Sequence, residues 1–149
     1  MTRSTPILAS LLLSVALGAQ SAPPTQEAGA TRVVLKGHDP VAYFTAGKPV
    51  KGDPRFSHDW DEGRYHFASG KHRDMFASDP ERYAPQFGGY CTGSMSRGVR
   101  NEGDPDAWII SDGRLYVFGA VKFKEIAEKD PAYVPSKVAG ATKNWRDRK

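Results

Sequence analysis

Residues 59–85, DWDEGRYHFASGKHRDMFASDPERYAP, and residues 109–135, IISDGRLYVFGAVKFKEIAEKDPAYVP, are two versions of one pattern. At an offset of 51, Tyr65 aligns with Tyr116, Phe67 with Phe118, Lys71 with Lys122 and Asp79-Pro80 with Asp130-Pro131. A slip of one residue at the loops also pairs Gly63 with Gly113 and Tyr83 with Tyr133. Each copy reads strand, tight turn, strand, helix, Asp-Pro. Asp112-Gly113, between Trp108-Ile109-Ile110 and Leu115-Tyr116-Val117-Phe118, is a two-residue hairpin signal, because such turns need positive φ. Glu62-Gly63 is the weaker version, ahead of Tyr65-His66-Phe67. The spacing predicts helices over 70–78 and 121–129, with His72, Met75 and Phe76 on one face of the first. Phe123, Ile126 and Ala127 share a face of the second. In both copies Asp then caps a short helical turn, with Pro at its first position, where no amide donor is needed. The expectation is an α+β domain of two similar ββα units (hairpin plus helix), each holding half of one core.

Working outward, Arg32 to Leu35 reads as a short strand, and Asp39-Pro40 opens the segment Val41-Ala42-Tyr43-Phe44. The stretch between the copies, Gln86 to Ala107, QFGGYCTGSMSRGVRNEGDPDA, belongs to neither and contains the only cysteine, Cys91. At the N-terminus, Arg3 precedes an apolar run from Ile7 through Leu17, then small residues as far as Ala22. That pattern reads as a cleaved export signal over 1–21, too short to span a membrane. No cysteine stands near the cut to carry a lipid anchor. Residues 22–31, Pro-, Ala- and Gly-rich without apolar period, read as a flexible leader. Residues 32–145 are long enough for one domain with its own core, and 146–149 read as a solvated basic tail. A formal net charge of +4 is too mild to indicate a nucleic-acid partner. The protein is expected to be periplasmic or secreted, without membrane anchor, its oligomeric state open.

From Gly37 to Trp108 the chain resembles the YHS-domain proteins, in their exported, stand-alone bacterial branch. The resemblance rests on Gly37-His38-Asp39-Pro40-Val41-Ala42-Tyr43-Phe44, on Phe67-Ala68-Ser69, and on the run from Asp79 to Cys91. Gly103-Asp104-Pro105-Asp106-Ala107-Trp108, Asp112-Gly113 and Asn144-Trp145 extend it. It implies a small ββα, treble-clef-like domain related to modules used in heavy-metal sensing and transport. The metal-type members carry cysteines on the second hairpin strand and the following helix. Here Ala68 and residues near His72 stand there, so a multi-cysteine zinc site is absent. Cys91 matches a cysteine typical of the exported branch, some of whose members carry selenocysteine, which implies redox or soft-metal chemistry at this position.

A lone cysteine sent to an oxidising compartment forms no internal disulfide, and must be buried, capped, paired with another chain or used. Cys91 follows Gly88, Gly89 and Tyr90, a site loop whose glycines would let backbone approach a ligand. Thr92 to Arg97 reads as the start of a helix, so the sulfur would face unpaired amides, with Arg97 or Arg100 folding back. Histidines are the natural co-ligands. Alternation puts His58 with Phe56 and Trp60 toward the core and turns His66 toward solvent. The candidate metal set is Cys91, His58, Met95 and His72, with copper(I), zinc or haem iron as the ions such donors suit. The mature chain has no CxxC, phosphate loop, HExxH or paired-carboxylate motif, so a redox role would need a small thiol or a partner protein as the resolving group. Three readings stay open: a binding protein with a metal- or thiol-reactive site at Cys91, a redox enzyme with Cys91 as nucleophile, and a structural or partner-binding module with Cys91 buried.

Overall fold

The structure is a computed structural model that describes residues 31–148; the expected export signal, all but the last residue of the expected leader, and Lys149 lie outside the described residues. In chain order the strands are β1 (Arg32–Val33), β2 (Asp53–Trp60), β3 (Gly63–Phe67), β4 (Asp104–Ser111) and β5 (Arg114–Phe118). The helices are α1 (Pro40–Thr45), α2 (Gly70–Ser78), α3 (Pro80–Tyr83), α4 (Thr92–Met95), α5 (Val121–Lys129) and α6 (Tyr133–Arg146). The domain is α+β: a three-stranded sheet ordered β1-β3-β2, a two-stranded sheet of β4 and β5, and the helices around them.

Both hairpins form where expected, but their turns differ. Asp112 and Gly113 carry positive φ, as the hairpin signal requires. In the first hairpin the left-handed pair is Asp61-Glu62, and Gly63 is already in β3 opposite Trp60. Gly63 is needed for space instead, since a methyl group there would clash with Val34 Cγ2. The helices α2 and α5 span the predicted residues. Ser69 caps α2 by accepting from the His72 amide, and Asp79 caps α3 by accepting from that of Arg82. On α5, Ala127 is buried and Phe123 half-buried, but Ile126 points out, at 43% exposed. The expected three-residue apolar face is therefore narrower.

The stretch Gln86 to Ala107 belongs to the duplication after all. Val34–Gly37 and Gln86–Gly89 are matching 3-10 turns with left-handed residues at Leu35-Lys36-Gly37 and Phe87-Gly88-Gly89. Single bridges follow, His38 with Lys51 and Tyr90 with Glu102. A short helix comes next in each, with Asp39 at the N-cap of α1 and Cys91 at the N-cap of α4. Both hairpins then break register at the same point, between Asp53 and Ser57 and between Asp104 and Trp108. The left-handed turn also shortens the first expected strand to Arg32–Val33, because Leu35 and Lys36 leave the extended region.

Two buried clusters make the core. The first centres on Phe76, whose ring lies 4.6 Å from that of Tyr65 and 5.1 Å from that of Phe67 (centroid to centroid). The second gathers Phe87, Met95, Tyr116, Phe118, Val134 and Ala141. Strand β5 serves both. Its alternation sends Leu115 and Val117 to the first cluster and Tyr116 and Phe118 to the second.

The C-terminal segment departs most from expectation. Asp130 caps its own turn, accepting from the Ala132 amide at 2.9 Å, but the chain continues as α6 for 14 residues. The supposed basic tail is only partly solvated. Arg148 lies 3.5 Å over the Trp145 ring and pairs with Asp61 at 2.9 Å, its side chain 6% exposed. At the other end Arg32 lies 4.0 Å over Tyr90, whose ring is 6.2 Å from that of Trp145.

Two glycines test the packing of the hairpins. A methyl group on Gly52 would lie 2.5 Å from the backbone carbon of His66, and one on Gly103 would lie 2.7 Å from the Gly89 oxygen. Backbone cannot give way as a side chain can. Gly52→Ala and Gly103→Ala should each cost about 1–3 kcal/mol, read as a fall in Tm of several degrees in thermal unfolding.

Candidate functional site

Cys91 is fixed on both sides of its peptide. Its N–H donates to the Asn101 carbonyl and its carbonyl accepts from the Met95 N–H, both at 2.8 Å. The next residue, buried Thr92, donates through Oγ1 to the Val117 carbonyl at 3.1 Å, tying the start of α4 to β5. The helix is a single turn, shorter than the Thr92–Arg97 expected, so few peptide dipoles add at its N-terminus.

The sulfur borders a cavity of about 50 Å³ lined also by Arg97, Phe118, Phe123 and Tyr133. Cys91 is 6% exposed. Two glycines leave room around it. A methyl group on Gly119 would sit 3.7 Å from Sγ, and one on Gly93 would sit 4.0 Å from both Sγ and the Tyr133 hydroxyl. Burial raises the Tyr133 phenol above its ordinary value, negative charge on Cys91 adds to this, and Arg97 opposes it. The phenol is therefore a proton-bearing donor at neutral pH, beside a thiol and within the same cavity as a guanidinium. That set can orient a small polar partner against the sulfur.

The other candidate ligands lie elsewhere. His58 is half-buried on β2 and meets the Phe76 ring edge-on, with centroids 5.9 Å apart. His72 holds Asp39, with Nδ1 2.6 Å from Oδ2. Met95 is 1% exposed within the second cluster. None of these lines the cavity at Cys91. Among the described residues no group of three or more His, Cys, Asp or Glu side chains is placed to hold a metal ion. The four candidate donors Cys91, His58, Met95 and His72 are thus not brought together at the cavity. The reason is topological: His58 and His72 belong to the first half, while Cys91 and Met95 belong to the second.

The site loop also works differently from expectation. A methyl group on Gly88 would lie 2.7 Å from Trp145, and one on Gly89 would lie 3.0 Å from Val34. Both glycines have positive φ, so they shape the turn and admit neighbouring side chains. Tyr90 pairs with Glu102 and carries Arg32 on its ring.

The Asp39–His72 pair was not anticipated. Asp39 is fully buried and accepts from the amides of Val41 and Ala68, each at 2.9 Å, besides holding His72. In the duplicated backbone it occupies the position of Cys91. Ala68 corresponds to Gly119 and His72 to Phe123. One half fills this position with a hydrogen-bonded carboxylate and the other with a thiol beside a cavity. The only sequence signal was Asp39-Pro40 opening the segment Val41-Ala42-Tyr43-Phe44, which did not mark Asp39 as half of a pair.

No family model, curated protein or solved structure significantly matches the chain.

His66 makes stability respond to pH. Partial burial, Arg64 and Lys51 all hold its pKa below the ordinary value, against a smaller pull from Asp53. Below about pH 6.5 the unfolded chain therefore binds the proton more readily than the folded one. Stability should fall as pH drops from 6.5 toward the depressed folded value. His66→Gln should flatten that slope when urea midpoints are compared at pH 7.5 and 5.5.

Proposed function

We propose that this is an exported YHS-like binding protein whose working group is the Cys91 thiol. The two halves are read as paired treble-clef-like ββα units. The observation that carries the reading is the cavity beside Cys91, lined by Gly93 and flanked by the Tyr133 phenol and Arg97, with Gly119 leaving further room at Sγ. A sulfur serving only as packing needs no such neighbours. The reaction class is thiol–disulfide exchange with a small disulfide. The Cys91 thiolate attacks one sulfur, a mixed disulfide forms, and the other sulfur leaves as a thiolate that takes up a proton. Arg97 would receive the carboxylate of such a partner, and Tyr133 would donate to its polar atoms. Export to the periplasm rests on the apolar run 7–17 and gives the thiol an oxidising setting.

The metal branch of this reading, with copper(I), zinc or haem iron, has less support, because Cys91 is the one member of the four-residue set at the cavity. The structural alternative draws on the low exposure of the sulfur.

Reactivity separates these readings. Iodoacetamide should label Cys91 in the native protein, and a fluorescein maleimide should react at least about tenfold more slowly relative to its rate with a free small thiol. Gly119→Ala places a methyl group in ordinary contact with Sγ and should slow iodoacetamide several-fold without lowering Tm. Labelling that waits for unfolding would leave Cys91 as packing. Stoichiometric copper(I) or zinc uptake abolished by Cys91→Ser would return the metal branch to first place.

A further inference from the structure

A second, larger cleft lies at the junction of the two halves, away from Cys91. It has a volume of about 330 Å³, within the range of small-molecule sites. It is lined where the first half passes into the second, by buried Ala84, Pro85 and Phe87. Half-buried Trp60 and Trp145 form walls from the end of β2 and the end of α6. Trp145 is held in place by Arg148 on its ring and by close packing against Gly88.

Charge around this apolar interior is uneven. Arg114 and Arg146 reach the cleft from β5 and α6, and both are exposed. Arg114 makes one long hydrogen bond, 3.4 Å to Gln86 Oε1, and neither arginine is ion-paired among the described residues. Of the two acids in the lining, Asp61 is engaged by Arg148 through contacts of 2.9 and 3.0 Å. That leaves Glu81 as the one lining carboxylate without an ion pair among the described residues, against two lining guanidinium groups without one. Guanidinium forks match carboxylates in geometry and charge, and indole and phenyl side chains supply apolar walls for a ring.

We infer that this junction cleft binds a small organic anion, a carboxylate carried on an aromatic or other flat apolar body. The carboxylate meets Arg114 and Arg146 at the rim, and the body lies between Trp60, Phe87 and Trp145. The site is independent of the Cys91 chemistry, since the two cavities share no lining residue.

The three tryptophans make the test self-controlled. Trp60 and Trp145 line the cleft, whereas Trp108 packs against Tyr43 and under Lys124. Benzoate titrated into ¹⁵N-labelled protein should move the indole N–H signals of Trp60 and Trp145 to saturation and leave that of Trp108 in place. Benzyl alcohol and benzylammonium, of similar size without the carboxylate, should bind at least about tenfold more weakly. Arg114→Gln and Arg146→Gln alter exposed side chains, should keep a dispersed spectrum, and should each weaken benzoate by a similar factor. Unmoved Trp60 and Trp145 signals, equal binding of benzyl alcohol, or benzoate affinity indifferent to both arginine substitutions would each overturn the assignment.

Discussion

Strand β5 is the element on which the rest depends. Most strands in so small a domain can leave one face to water, but the run Leu115-Tyr116-Val117-Phe118 is buried on both. Each half contributes one cluster, and consecutive residues of this strand enter them alternately. A one-residue register slip in β5 would exchange the two sets of side chains between clusters of different shape. The same strand receives the Thr92 hydroxyl on the Val117 carbonyl, so the position of Cys91 follows from the register of the core. Packing and site are set by one constraint.

The duplication explains why the halves differ in chemistry while agreeing in backbone. Left-handed turns, single bridges, short helices and bulged hairpins recur at matched positions. At the N-cap of the short helix, however, one half carries Asp39 and the other Cys91. A buried carboxylate needs donors, and Asp39 has three: two amides and the His72 ring. A thiol needs none, so its half could replace the imidazole with Phe123 and the alanine with Gly119. The loss of the imidazole coincides with the small cavity beside the sulfur.

Hairpins and central helices were legible because their signals are local: turn residues, alternation and helical spacing. The duplication of residues 34–52 in 86–103 was not, because left-handed turns are made by Leu35-Lys36-Gly37 in one copy and Phe87-Gly88-Gly89 in the other, which share only the last letter. Cys91 at the head of a short helix was readable, since Gly88-Gly89 and a cap position mark a break in the chain. Its neighbours were not. Tyr133 approaches from a segment read as one short turn, yet it begins α6, and the histidines that composition offered as partners belong to the other half. Spacing along a strand says which face a residue takes, but not which half of a duplicated core lies against it.

The aromatic stack at the two ends of the described chain has a consequence for its connectivity. Arg32 rests on Tyr90, Tyr90 neighbours Trp145, and Trp145 carries Arg148. The beginning and end of the folded region are therefore only two rings apart. Chain order is then largely a matter of where the polypeptide is cut. A circularly permuted version, opened at the exposed Asp112-Gly113 turn and joined through a short linker across the stack, would keep both core clusters and begin with the strand that unites them.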